Sequence, residues 1–460
     1  MRAMQTVAAI STPYGKGGVA LIRITGEDAI AVAQRVAVRT AGIPLSDTPS
    51  GKAVRVTFLD GTDAFDDGLI TLFRAPHSFT GEDTAELSCH GGILLTQKLL
   101  SAVFAAGAYP AGAGEFTRRA FQNGKITLSQ AEAVGGLIDA KSDRFLTVSL
   151  LQCRGALSEK LLSLTDRLRF LISSVYAYID YPDEDMTDVP VPELQKRLRE
   201  LIDELQILCN SHSYGRAISE GIRTVLIGKP NTGKSALLNA LAGEERAIVT
   251  EIAGTTRDVV REQVRLGDLL LNLSDTAGLR ESDDPVEKLG VGRSLAALQE
   301  AELVLAVFDG SLPPDEQDEE VLRQINACGK EANTVFLLNK SDLGTVYEAY
   351  NRLLPQEAIP VSALKKSGMD ELQQAVRGKI GAGDVNTDSL GEIVVGARQY
   401  ATLCKAKEQL TDALSALDGF SQDVAGLDME RALATLEEVD GRTATEEIVD
   451  EIFSHFCVGK

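Results

Sequence analysis

No apolar run in this 460-residue chain approaches the roughly 18–20 residues that a membrane-crossing helix needs. The opening "MRAMQTVAAISTPYG" has no signal-peptide pattern, so a cytoplasmic protein is expected. Basic charge is also short: Lys and Arg number 46 against 67 Asp and Glu, a net −21. That argues against broad electrostatic binding of nucleic acid, which wants a basic surface; any such partner needs a local patch or a second protein to supply one. The six cysteines (Cys89, Cys153, Cys209, Cys328, Cys404 and Cys457) are scattered, with no CxxC pair and no histidine at metal-ligand spacing. They read as reduced thiols. Tryptophan is absent, and there is no internal repeat or low-complexity tract.

What is present is a soluble globular composition, 44% hydrophobic and 25% charged, long enough for about three domains. Residues 1–123 alternate in short runs, "TVAAIST", "GVALIRITG", "GKAVRVTFLDG", "DDGLITLFRA" and "DTAELSCHGG", punctuated by glycine and Asp-Gly turns. They predict a mixed α+β domain. Over 124–217 the spacing turns helical, with one stripe through Leu161, Leu164, Leu168, Leu171 and Val175. A second runs through Leu194, Leu198, Leu201, Leu205 and Leu208. Residues 218–384 alternate apolar strands ("TVLIG", "LLLNLSD", "ELVLAVFD", "TVFLLNK", "AIPVSA") with helical stretches, the pattern of a parallel α/β sheet. Helical spacing returns over 385–460 through Leu403, Leu410, Leu414 and Leu417. The expected fold class is therefore multidomain α+β and α/β, with 218–384 inserted into a helical domain built from 124–217 and 385–460.

"GKPNTGKS" (Gly228–Ser235) follows the strand "TVLI" and opens the helical run "ALLNALAG". This is the G-x-x-x-x-G-K-[ST] phosphate loop in its strand–loop–helix setting. Backbone N–H groups and a helix N-terminus would cradle phosphate oxygens, contributed by Asn231, Thr232, Gly233, Lys234, Ser235 and Ala236. Lys234 would reach the β/γ-phosphates and the Ser235 hydroxyl Mg²⁺. "DTAG" (Asp275, Thr276, Ala277, Gly278) ends the next apolar strand, suited to the Mg²⁺ shell and the γ-phosphate. "NKSD" carries Asn339, Lys340 and Asp342, whose carboxylate can accept both guanine N1–H and N2–H₂; adenine has no such donor pair. "SAL" supplies Ser362 and Ala363. In this order the motifs resemble those of TRAFAC-type GTPases.

Leu279 stands where Ras-like proteins have a water-positioning glutamine, and it cannot hydrogen-bond water. Either the domain is a slow switch, or another group does that work. "TEIAGTTRD" contributes Thr250, Glu251, Ile252, Ala253, Gly254, Thr255 and Thr256 to the nucleotide site. A fixed cation beside the phosphates can replace an arginine finger. The Asn231 side-chain oxygen, with oxygens of Thr250, Ile252 and Thr255, suits K⁺, and Thr256 completes the Mg²⁺ shell.

With "TPYGKGGVALIRITG", "SFTGEDTAELSCHGG", "GEFTRRAFQNGKITLSQAEAV", "DTAGLRESDDPVEKLG" and the terminal "DEIFSHFCVGK", nearly the whole chain resembles the MnmE/TrmE family of tRNA-modification GTPases. Lys16 departs from it, standing where the family more often has arginine. The resemblance implies a homodimer formed through N-terminal domains. It also implies a tetrahydrofolate one-carbon donor, 5-formyl or methylene, held near Arg23, Glu86, Lys125 and Lys460. Glu287 would orient the attacking water in place of the missing glutamine. Folding back of the chain's end would set Cys457 beside the one-carbon chemistry, as a nucleophile or acid/base group if Lys460 or His455 lowers its pKa. An FAD-dependent MnmG-type partner, in a heterotetramer, would bring tRNA and act with the chain at C5 of the wobble uridine, without a membrane. Two other readings stand beside it: a regulatory switch of the Era or EngA type, and a folate-dependent methyltransferase with a degenerate GTPase domain. The intact Lys234, Ser235, Asp275 and Asp342 speak against the last.

Overall fold

The computed structural model describes residues 5–39, 42–180, 190–242, 262–274, 296–380, 387–419 and 422–460. They divide into two compact units, Met1–Gly135 with Glu437–Lys460, and Gly136–Leu436. The last stretch, Glu437–Lys460, groups with the N-terminal unit.

In the first unit, strands β1 (Val7–Ile10), β2 (Val19–Thr25), β3 (Ala37–Arg39), β4 (Ala53–Asp60), β5 (Asp63–Phe73), β6 (Thr84–His90) and β7 (Tyr109–Pro110) form one sheet. Its order is β3-β4-β5-β6-β2-β1-β7, antiparallel except where β7 runs parallel to β1. The two-residue period puts Ile22, Ile24, Val56, Phe58, Ile70, Leu72 and Leu87 on one buried face. Helices α1 (Ala29–Val36) and α2 (Ile93–Ala105) cover it. Arg23 and Glu86 are directly opposite in the β2–β6 register, on the other face.

The same unit holds α3 (Glu115–Gln122) and the final helix Glu446–Ser454, whose Val449 and Phe453 pack on Leu128 and Ala131. Beyond that helix the chain runs back along the sheet edge. Val458 pairs antiparallel with Ala113, the Phe116 N–H donates to Lys460 O at 3.0 Å, and Ser11 Oγ donates to Gly459 O at 2.9 Å. Gly459 has φ 99°, and a Cβ there would lie 2.0 Å from Ile10 O, so only glycine lets the tail approach this closely.

After α4 (Leu128–Asp139) and α5 (Asp143–Cys153) in chain order, the two leucine stripes of the second unit are buried along α6 (Ala156–Asp180) and α7 (Val191–Ser219). α7 packs against the helix Ala397–Gly419, where Leu403 and Leu410 are buried; Leu414 is only half-buried because Ala413 takes the inward position. The sheet combines β8 (Ile222–Ile227), β9 (Glu262–Leu266), β10 (Leu269–Leu273), β11 (Leu303–Asp309), β12 (Thr334–Asn339) and β13 (Ile359–Pro360). Its order is β13-β12-β11-β8-β10-β9, parallel apart from β9 at the edge. All seven residues of β11 are buried, as expected for a strand covered on both faces. β9 escapes the sequence pattern because "EQVRL" is short and mostly polar; an edge strand needs only Val264 and Leu266 inside.

Candidate nucleotide site and C-terminal site

The phosphate loop lies between β8 and α8 (Lys234–Ala242), at the C-terminal end of the parallel strands, where α/β folds place ligands. Asn231 sits at φ 62° and Gly233 at φ 89°. A Cβ on Gly233 would fall 2.2 Å from Asn339 Nδ2, so the glycine also makes room for the guanine loop. Lys234 donates through Nζ to Gly228 O at 2.8 Å and to Lys229 O at 2.7 Å. Burial pushes its pKa down to about 8. Thr232 is buried, while Asn231, Ser235 and Ala236 are exposed at the loop and the first turn of α8.

The guanine-loop residues converge on this loop. Asn339 Nδ2 donates to Thr232 O at 2.8 Å, and the Ala363 N–H donates to Asn339 Oδ1 at 3.1 Å. Ser362 Oγ donates to Asp342 Oδ1 at 2.6 Å and receives the Lys365 N–H, which fixes the hydroxyl's direction. The Ser362 bond holds the Asp342 carboxyl below its ordinary pKa. Asp342 therefore presents as a carboxylate acceptor, the form that guanine recognition requires. Lys340, at φ 65°, is tied by Nζ to Asp309 at 2.6 Å.

Thr250, Glu251, Ile252, Ala253, Gly254, Thr255, Thr256, Asp275, Thr276, Ala277, Gly278, Leu279 and Glu287 lie outside the described residues. Of the donors expected for Mg²⁺ and K⁺, the described ones are Ser235 and Asn231; both are exposed oxygen carriers beside Lys234, and their chemistry fits hard cations.

In the N-terminal unit, Arg23 donates through Nε and Nη2 to Glu86 Oε1, at 3.0 and 2.8 Å. Its guanidinium stands over the Phe116 ring, 5.5 Å from the centroid. Phe116 in turn holds Lys460 through its backbone N–H, so one residue links the Arg23–Glu86 pair to the chain end. Lys125 is exposed and donates to Pro76 O at 3.0 Å. The Cys457 thiol is exposed, and its carbonyl accepts from the Gly114 N–H.

Lys229, Asp309 and Phe116 also shape these sites without being defining residues of the motifs that the sequence displays. Asp309 gives one signal, an acid ending a wholly apolar strand; the other two give none without their long-range partners.

The depressed pKa of Lys234 has a measurable consequence. Phosphate oxygens keep the ammonium charged in the complex, whereas in the free protein it deprotonates near pH 8, so binding takes up a proton above that pH. GDP affinity is expected to be flat up to about pH 8 and to fall towards tenfold per unit above it. Calorimetric titrations from about pH 7 to about pH 9.5 check this, and a pH-independent affinity across that range contradicts it.

A family model described as the MnmE helical domain matches residues 128–457, and one described as the GTP-binding protein TrmE N-terminus matches residues 6–125. A tRNA modification GTPase MnmE of Clostridioides difficile (strain 630) is 38% identical over 459 residues, covering 99% of each chain. That of Symbiobacterium thermophilum is 40% identical over 464 residues, again covering 99% of each. That of Lactobacillus acidophilus is 37% identical over 460 residues, covering 99% of this chain and 98% of its own. Similarity of this level along the full length, with the phosphate and guanine loops assembled as described, leads to one assignment: the chain belongs to the MnmE family of tRNA modification GTPases.

Proposed function

We propose that the chain is a K⁺-dependent GTP hydrolase that acts, with an FAD-dependent MnmG-type partner, on C5 of the tRNA wobble uridine. The group installed is of the aminomethyl or carboxymethylaminomethyl kind, with a tetrahydrofolate derivative as one-carbon donor. The observation that carries the GTPase part is the meeting of the phosphate and guanine loops at Asn339.

Lys234 leaves the Gly228 and Lys229 carbonyls for the β/γ-phosphates, while Asp342, oriented by Ser362, accepts the guanine N–H donors. Ser235 and Thr256 hold Mg²⁺. Asn231, Thr250, Ile252 and Thr255 hold K⁺, which when bound supplies the fixed positive charge of an arginine finger. Glu287 orients the water that Leu279 cannot.

The folate reading is supported by the Arg23–Glu86 pair and by Phe116, which links it to Lys460. Because Arg23 and Glu86 are bonded to each other, both would lie at one end of the donor: Glu86 would meet the pterin N–H groups with Arg23 beside it, and Lys125, rather than Arg23, the donor's carboxylates. Cys457 is the candidate thiol for the carbon chemistry. Homodimerisation through the N-terminal domains, cytoplasmic location and delivery of tRNA by the partner complete the proposal; the partner carries the basic surface that a chain of net charge −21 lacks. The match of residues 6–125 to a TrmE N-terminus favours this over an Era-type switch, which has no such domain.

GTP turnover in equal concentrations of KCl and NaCl is expected to be at least about tenfold faster in KCl, and Asn231→Ala to abolish the difference. Equal rates in both salts would contradict K⁺ dependence. In equilibrium dialysis against 5-formyltetrahydrofolate, Glu86→Gln is expected to weaken binding about tenfold. Binding unchanged by that substitution would remove Glu86 from the site.

A further inference from the structure

The phosphate loop carries a second lysine that the phosphate and guanine motifs leave without a task. Lys229 has a side chain only 10% exposed, and its ammonium donates to Asp315 Oδ2 and to Asp318 Oδ2, each at 2.8 Å. Asp318 is fully buried near the start of the helix Glu316–Ala327, and its Oδ1 has no hydrogen-bond partner among the described residues. Its Oδ2 therefore gathers the Lys229 ammonium, the Asp315 N–H at 3.1 Å and the Tyr350 hydroxyl at 3.3 Å. Burial works against the charge on Lys229, but the bonds to Asp315 and Asp318 outweigh it and raise its pKa. Protein carboxylates thus occupy this ammonium, which points away from a phosphate role.

The backbone of Lys229 faces the site instead. Its carbonyl accepts from Lys234 Nζ at 2.7 Å and from Thr232 Oγ1 at 3.1 Å. Asn231 stands in the left-handed region, which asparagine tolerates better than most side chains but which still needs the loop to be held around it. Three anchors do so here: Asn339 on the Thr232 carbonyl, Lys234 on the Gly228 and Lys229 carbonyls, and the Lys229 ion pairs. The second anchor is lost when phosphate binds, because the Lys234 ammonium turns to the phosphate oxygens. Asn339 then holds the second half of the loop, and the first half depends on Lys229.

We propose that Asp318 is a positioning residue for the nucleotide, holding the first half of the phosphate loop in its phosphate-binding shape through Lys229. Tyr350 extends the same network to the guanine loop. Its hydroxyl lies 3.2 Å from Asp309 O, and the Asp309 carboxylate holds Lys340 at 2.6 Å. The inference rests on GTP binding at this loop and is independent of K⁺ and of folate.

The test is steady-state GTP hydrolysis and mant-GDP binding by the full chain. Asp318→Asn keeps the side-chain shape and removes the charge. KM for GTP and Kd for mant-GDP are expected to rise about tenfold or more, with kcat at saturating GTP within about twofold of wild type. A loss of folded protein alone would lower kcat and leave KM in place. Adding Lys229→Met to Asp318→Asn is expected to raise KM by less than Lys229→Met does alone, since the two share the Lys229–Asp318 pair and only the Lys229–Asp315 pair is left to lose. Should Asp318→Asn fail to fold, Tyr350→Phe keeps the ring against Phe308 and removes only the hydroxyl, and a rise in KM of about two- to fivefold is expected. An unchanged KM in folded Asp318→Asn, or in Tyr350→Phe used in its place, overturns the proposal; so does a Lys229→Met effect that adds in full. A wild-type chain that bound no mant-GDP would instead overturn the reading of the loop itself.

Discussion

The Asn339 side chain donates to the Thr232 carbonyl and accepts from the Ala363 amide, so loops following three strands of one sheet meet on a single group. The residue is 2% exposed, and neither bond could be handed to water without leaving a buried polar group unpaired. Much of the nucleotide site follows from that constraint. Gly233 must lack a Cβ to pass Asn339, and the resulting turn sets Lys234 at the start of α8. Fixing Ala363 also fixes its neighbour Ser362, whose hydroxyl aims the Asp342 carboxylate. Phosphate and base recognition are thus parts of one hydrogen-bonded assembly, mounted on strands buried on both faces.

The N-terminal unit solves a different problem, holding down a chain end that would ordinarily fray. The short segment beyond the final helix is tied to the loop before α3 through Val458, to the first turn of α3 through Lys460 and to the segment after β1 through Gly459. The exposed thiol of Cys457 is carried on a braced backbone as a result, while Phe116 connects that brace to Arg23.

Both leucine stripes of α6 and α7 were legible because a helix that packs along one side repeats its apolar residues every three or four positions. The apolar runs of β8, β10, β11 and β12 were equally plain. β9 was not, since a five-residue edge strand with only Val264 and Leu266 apolar resembles a loop in one dimension. The phosphate and guanine motifs were legible because backbone geometry around phosphate leaves few choices of residue. What could not be read was whatever depends on contacts between distant positions. Lys229 meets Asp318 across 89 positions, and Gly459 meets Ser11 across 448. The role proposed for Cys457 rests on family resemblance, not on any pattern in "FCVGK".

The most direct measurement of the central claim is the GDP affinity of Asn339→Asp, by calorimetric titration against wild type. Aspartate keeps the shape of the amide but turns the donor towards Thr232 O into an acceptor. A loss of about a hundredfold or more is expected, together with a lowered unfolding midpoint of the nucleotide-free chain, because the buried carboxylate then faces the Thr232 carbonyl with no donor between them. GDP affinity within about twofold of wild type would contradict it, because the two loops would then be held together by something other than this amide.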